Sequence, residues 1–221
     1  GNYVDLSTHL KQSGIGPVDG IVLDLGLSSL QLDHAERGFS FAREAPLDMR
    51  MDSSEEETAE DLVNNFSVRQ WVDLLVRFCE ERFARRIARA VLQARTRGRI
   101  RMTTQLAEII TKAVPFRGRS SRGRIHPATR TFQALRIAVN HELDHLQSFL
   151  DSSPSLLAPC GRLAVISYHS LEDRIVKQTC LRHVQAGQMK KITKKPMIAT
   201  DQEVASNPRA RSAKLRIVEK I

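Results

Sequence analysis

Side chains able to do chemistry gather at two places in this 221-residue chain. Asp24 closes the apolar run Ile21-Val22-Leu23 and is followed by Leu25, Gly26 and a polar loop carrying Ser28, Ser29, Gln31 and Asp33. His169 follows a second apolar run, Leu163-Ala164-Val165-Ile166, and precedes Ser170, Glu172 and Asp173. Neither place offers a G-x-S-x-G elbow, a Walker glycine loop, an H-E-x-x-H pair or an acidic metal cluster, so covalent-serine and zinc hydrolysis are not indicated. Polar groups at the ends of apolar runs instead suit group transfer, in which the protein chiefly orients two bound reactants. The structural alternatives are that Asp24 caps the next turn, and that Ser170 and Asp173 form an acidic capping box for a following helix.

The elements that must hold these residues are two buried strands. Residues 21–25 do not alternate, as expected of a parallel strand buried on both faces, and residues 162–168 read the same way. A helix from Pro127 to about Leu150, with Phe132, Leu135, Val139, Leu143, Leu146 and Leu150 on its core face, supplies the crossover that makes the strands parallel neighbours. Pro154–Gly161 reads as a turn. Ligands collect at the carboxyl ends of such strands, which brings Asp24, the Gly26–Gln31 loop and His169 to one edge. A bare apolar edge at 21–25 is an aggregation liability, so upstream strands are expected beside it, beyond the given sequence. The alternation over 214–218 predicts a last, edge strand with one wet face.

Between the strands, residues 31–52 are rich in Asp, Arg, Gly and Phe and read as an ordered lid. Helices are expected over Thr58–Phe66, over Val68 to about Arg95 with Val68, Val72, Leu75, Cys79, Phe83, Ile87 and Val91 inward, and over Thr104–Val114 with Thr103 or Thr104 as N-cap.

The net charge of +9 is unevenly spread: residues 1–61 carry 4 Lys/Arg against 13 Asp/Glu, and residues 62–221 carry 30 against 12. Clustered positive charge points to a polyanion, most commonly nucleic acid. Arg82, Arg85, Arg86 and Arg89 recur at helical spacing and form one basic stripe, followed by Arg95, Arg97, Arg99 and Arg101. Arg117, Arg119, Arg122 and Arg124 lie in a Gly/Ser loop, and Lys190, Lys191, Lys194 and Lys195 in a basic loop without periodicity. All are candidate phosphate contacts. The three cysteines, Cys79, Cys160 and Cys180, have neither disulfide nor zinc spacing. No run reaches the roughly 18 apolar residues of a membrane span, so a soluble protein without a membrane partner is expected.

Several blocks carry a family resemblance. Asp24-Leu25-Gly26, Ser28-Ser29, Gln31-Leu32-Asp33, Glu36-Arg37-Gly38-Phe39-Ser40, Pro46 to Asp52 and Glu80-Glu81-Arg82-Phe83-Ala84 resemble the ribosomal small-subunit RNA cytosine-N4 methyltransferases. So do His126 to Ile137, His169 to Arg174 and Asn207 to Ser212, in the family's order and over nearly the whole chain. The resemblance implies an α/β Rossmann-like methyltransferase sheet lacking the family's N-terminal strands, with residues 1–32 and 126–221 in that domain. Residues 33–125 would form an inserted all-helical subdomain for RNA recognition.

It also implies S-adenosylmethionine as cofactor, held by Asp24, Gln31, Tyr3 and Gly26, and methylation of a cytosine N4 amine in small-subunit ribosomal RNA. The candidate catalytic groups are Ser28 and Ser29 as amine acceptors, His169 as base contact or proton relay, and Asp33. Tyr3 stands where relatives usually have Phe, and Leu30 where bacterial relatives commonly have Pro. The family's first strand, Gly-Gly-His turn and second, acid-ending strand have no counterpart in these residues, so a fragment of a longer protein is expected. Partners would be small-subunit ribosomal RNA or the assembling subunit, with a homodimer as a further association. The compartment would be the cytoplasm in a bacterium, or the mitochondrial matrix in a eukaryote. A non-catalytic RNA-binding or ribosome-assembly protein that has lost the cofactor pocket is the alternative from another class.

Overall fold

The computed structural model describes residues 2–26, 35–115 and 126–221. In chain order its elements are α1 (Leu6–Gln12), β1 (Val18–Asp24), α2 (Ala59–Asn65), α3 (Val68–Cys79), α4 (Ala84–Arg95), α5 (Thr103–Ala113), α6 (Pro127–Val139), α7 (Glu142–Leu156), β2 (Leu157–Ser167), α8 (Ser170–Gln185), β3 (Met189–Lys191), β4 (Met197–Ile198), α9 (Asp201–Ser206) and β5 (Lys214–Lys220). The chain divides into a sheet unit, residues 1–26 and 142–221, and a helical unit, residues 27–141. The architecture is therefore α/β with an inserted all-helical part.

In the sheet unit the strand order is β1-β2-β5-β3, with β4 also on β5. β1 and β2 are parallel, Leu23 facing Val165 and Asp24 facing Ile166, as the crossover rule predicts. Leu146, Phe149 and Leu150 of α7 and Val176 and Cys180 of α8 pack against Ile21, Leu23, Leu163 and Val165. α1 adds Leu6 and Leu10 to the same cluster. Cover on one face imposes alternation on β1: Ile21 is 8% exposed and Val22 74%, so this strand is not buried on both faces as the apolar run predicts.

β5 is not an edge strand either, since it pairs with β2 on one side and with β3 and β4 on the other. Its alternating polar residues serve as cross-strand partners: Glu219 pairs with Arg162 of β2 at 2.8 Å and with Lys190 of β3 at 2.7 Å. The turn expected at 154–161 is instead the end of α7, which accommodates Pro154, followed directly by β2. Its turn chemistry persists as an irregularity in the β1–β2 register, with Cys160 at φ 65°.

The helical unit is built on Trp71, Leu75, Ile87, Val91, Leu106, Ile110 and Leu135, all essentially inaccessible. Two helices that periodicity predicts as continuous are broken. α3 ends where Glu80 takes φ 50°, and α4 begins after Glu81 has accepted the Phe83 N–H at 2.8 Å. The helix expected over 127–150 ends at Val139, because Asn140 returns its side-chain amide to the Arg136 carbonyl at 2.8 Å and His141 takes φ 49°. α6 then belongs to the helical core, through Ala128, Phe132, Leu135 and Val139. This unit thus extends to residue 141, where the resemblance sets the boundary at 125.

Asn140 also donates to the Met49 carbonyl at 2.7 Å and accepts the Met51 N–H at 2.6 Å. Those contacts draw Leu47 and Met49 fully into the core, so residues 46–52 are structural packing rather than a lid. Gly38 is obligatory there: at φ 71°, a Cβ would lie 2.1 Å from the Pro46 carbonyl oxygen. Met102, not a threonine, precedes α5, because Thr103 Oγ1 is engaged with Ala45 N and Arg43 O.

Candidate active site

Asp24 ends β1 as an exposed carboxylate. Its Oδ1 accepts the Tyr168 hydroxyl at 2.8 Å, a bond that ties the carboxyl end of β1 to that of β2. Burial, reinforced by Asp24 and then Glu172, pushes the Tyr168 phenol up to about 12, so it remains a donor at neutral pH. Gly26 sits beside the same ring with φ 105°, and a Cβ there would come within 3.4 Å of it. The positive φ favours glycine at that position.

His169 opens α8. Its Nδ1 accepts the Glu172 N–H at 3.4 Å, while Glu172 Oε2 accepts the backbone N–H groups of Tyr168 at 2.8 Å and His169 at 3.2 Å. The capping pair is thus His169 with Glu172, one residue earlier than Ser170 with Asp173. Asp173 is drawn away by β5, where Arg216 lies 2.7 Å and Lys214 3.4 Å from its carboxylate. An accepting Nδ1 places the ring proton of neutral His169 on Nε2. That nitrogen is buried 3.1 Å from Glu172 Oε1, outside hydrogen-bond angle and with no other partner among the described residues. Burial works to raise the Glu172 carboxyl, but the His169 ring and the two backbone donors outweigh it and hold it below its ordinary range.

Tyr3 comes to the same region from the start of the chain. Its ring packs edge-on against Phe149 at 5.5 Å, its hydroxyl donates to the Glu142 carbonyl at 3.5 Å, and burial pushes the phenol upward. Ligand-type atoms of Glu142, His169 and Glu172 lie within 4.8 Å of one another. Glu172 is already committed to backbone donors, so this set works as a capping network with a negative field and carries no metal assignment. On the other side of Tyr168 and His169 opens a cleft of about 630 Å³, walled by Ile198, Val204, Arg211 and Lys214.

Tyr3, Asp24, Gly26 and His169 therefore all lie in the sheet unit, the last three at the β1 and β2 ends. Ser28, Ser29, Gln31 and Asp33, and Arg117, Arg119, Arg122 and Arg124, lie outside the described residues. Arg85, Arg86 and Arg89 are exposed along α4 of the helical unit, whereas Arg82, expected on the same stripe, is exposed just before α4 because the helix breaks at Glu80. The arginines after them are not equivalent: Arg95 donates to the Val63 and Phe66 carbonyls, and Arg99 pairs with Glu60 and Asp61. Lys191, Lys194 and Lys195 are exposed, whereas Lys190 is held by Glu219. The predicted aperiodic loop here contains the short strands β3 and β4. Sequence reasoning passed over Tyr168 and Glu172. Their signal was position, Tyr168 next to a strand end and Glu172 three residues after His169.

Comparison with known proteins agrees with this geometry. A family model described as the MraW methylase family matches residues 1–221. A Deinococcus deserti protein is 52% identical over 221 residues, covering 100% of this chain and 71% of the relative. A Deinococcus radiodurans protein is 53% identical (100% of this chain, 68% of the relative), and a Synechococcus elongatus protein 54% (95% and 68%). All three are named ribosomal RNA small subunit methyltransferase H. With the family model matching residues 1–221 and relatives at about half identity, this chain belongs to the MraW methylase family.

Proposed function

We propose that this protein transfers a methyl group from S-adenosylmethionine to the N4 amine of a cytosine in small-subunit ribosomal RNA, in the cytoplasm. The observation that carries the reading is the strand-end constellation of Asp24, Gly26, Tyr168 and His169 within a chain that matches a methylase family throughout. The residues fit the cofactor. Asp24 offers an exposed carboxylate whose Oδ1 alone is engaged among the described residues, Gly26 leaves space that a side chain would fill, and Tyr3 and Glu142 add an aromatic and an acid. When bound, S-adenosylmethionine supplies an electrophilic methyl on a cationic sulfur, and Asp24, Gly26, Tyr3 and Gln31 are the residues proposed to hold it.

The protein's remaining task is positional. A cytosine amine is a weak nucleophile because its lone pair is delocalised into the ring, so its N–H bonds must be oriented by acceptors, with the base out of its stack. Ser28, Ser29 and Asp33 are proposed as those acceptors. His169 has both ring nitrogens turned to Glu172, which favours it as a positioning residue that shapes the base side of Tyr168 over a proton relay. Arg82, Arg85, Arg86 and Arg89 are proposed to hold RNA phosphates.

The test is transfer of label from methyl-tritiated S-adenosylmethionine to small ribosomal subunits or their RNA, mapped to the nucleotide, together with calorimetry of cofactor binding. Labelled N4-methylcytosine is expected. No heat of cofactor binding and no label would overturn the proposal in favour of a non-catalytic RNA-binding role.

A further inference from the structure

We infer that the cleft between the start of α8 and the turn Pro208–Ser212 receives a ribonucleotide of the substrate, with a phosphodiester held by Arg211 and the hydroxyls of Ser170 and Ser212. The inference rests on the function proposed above and deepens it by assigning a substrate subsite.

The cleft, about 630 Å³, is of a size that takes one nucleotide. Three of its side-chain donors are unspent, whereas Lys214 is held by Asp173 and Tyr168 by Asp24. Arg211 makes no ion pair or hydrogen bond among the described residues, although Asp201 lines the same cleft. Other arginines of this unit are committed: Arg162 to Glu219, Arg182 to Asp151 and Arg216 to Asp173. Ser170 and Ser212 are exposed in the cleft with no partner among the described residues. Ser170 is also the first residue of a 16-residue helix, whose His169 cap satisfies the N–H of Glu172. The N–H groups of Ser170 and Leu171 have no acceptor within the helix and add to the donor set. A planar, unpaired guanidinium beside two hydroxyls and a helix start matches the acceptor-only oxygens of a phosphodiester.

The opposite wall differs in chemistry. Ile198, 72% exposed, and Val204 present apolar surface to a base or sugar face, and Asp201 is an acceptor suited to a ribose hydroxyl. Tyr168 links this cleft to the strand ends, since it lines the cleft and donates its hydroxyl to Asp24.

The experiment is fluorescence anisotropy of the full chain with a labelled single-stranded pentaribonucleotide carrying a central cytosine, across a salt series. Calorimetry with S-adenosylhomocysteine runs in parallel. Arg211→Ala is expected to weaken oligonucleotide binding about tenfold or more, and to lower the log–log salt slope by about one. It should leave S-adenosylhomocysteine binding unchanged and raise the KM for RNA more than it lowers kcat. Arg211→Lys, which keeps charge and fold but loses the planar fork, should fall between. Arg209→Ala, on the same turn but outside the cleft, should bind like the parent protein.

Parent-like binding and slope in Arg211→Ala, an equal loss in Arg209→Ala, or no oligonucleotide binding by the parent chain overturns the cleft assignment. Weakened oligonucleotide binding in Arg211→Ala from a parent chain that methylates no RNA would keep the cleft and overturn the proposed activity. Methylation with an unchanged KM in Arg211→Ala would do the reverse.

Discussion

In the sheet unit ionic side chains are consumed by architecture: Asp173 holds Lys214 and Arg216, Glu219 holds Arg162 and Lys190, and Glu172 closes the start of α8. In the helical unit α4 turns Arg85, Arg86 and Arg89 to solvent, and Arg82, just before it, rests over the Phe83 ring at 4.7 Å. The contrast follows from position. A charge beside a strand end is half-desolvated and must be paired to be tolerated, whereas a charge on an outer helix face costs little and can wait for a partner. Paired charge at these strand ends holds the fold together, and the exposed unpaired charges, Arg211 of the sheet unit among them, are left open to a partner.

The largest expected effect comes from breaking the paired side. Glu172→Ala strands two backbone N–H groups and should cost about 3 kcal/mol, read as a fall in the denaturant midpoint. The same group makes the sheet unit acid-sensitive. Its folded pKa lies below the ordinary 4.5, so its contribution is full above that value and is lost as pH falls through the depressed one. Acid unfolding monitored in the Glu172→Ala protein should lack that component, and an identical acid transition would break the distinction drawn here.

Asp24→Ala removes the exposed carboxylate and should weaken cofactor binding about a hundredfold, or about 2.7 kcal/mol, while loss of the Tyr168 bond lowers stability by only about 1 kcal/mol. A loss of stability without a loss of binding would move Asp24 to the architectural class.

A smaller effect separates cap from imidazole at His169. His169→Ala should lose about 1 kcal/mol of stability, and His169→Asn should recover it, since asparagine caps helices well. Recovery of turnover along with stability identifies a positioning role; turnover that stays low in His169→Asn restores the proton relay.

The smallest effect on the fold is expected in the helical unit. Arg85→Gln with Arg89→Gln should leave the melting temperature unchanged while flattening the salt dependence of RNA binding by about two slope units. A melting shift without a slope change would show the stripe to be structural.

Much of this contrast was legible along the chain. Apolar runs ending in Asp24 and near His169 located two parallel strands, and the spacing of Arg85, Arg86 and Arg89 put them together on α4. These features are set by neighbours within a few residues, which periodicity reports directly. The helix breaks at Glu80 and His141 were not legible, because neither carries a glycine or proline signal, and the second is also fixed by a distant group, the loop at Met49 to Met51. Nor was the interior place of β5, since an alternating strand looks the same whether its polar face meets water or the Arg162 and Lys190 partners of Glu219.

Sequence by itself thus determined the family and the class of fold, and put Asp24 and His169 at the ends of two strands. Tertiary structure alone decided that Glu172 caps α8 while Asp173 serves β5. Two adjacent acids are equivalent until a strand 40 or so residues away brings Lys214 and Arg216 to one of them and leaves the other with the bare N–H groups of Tyr168 and His169.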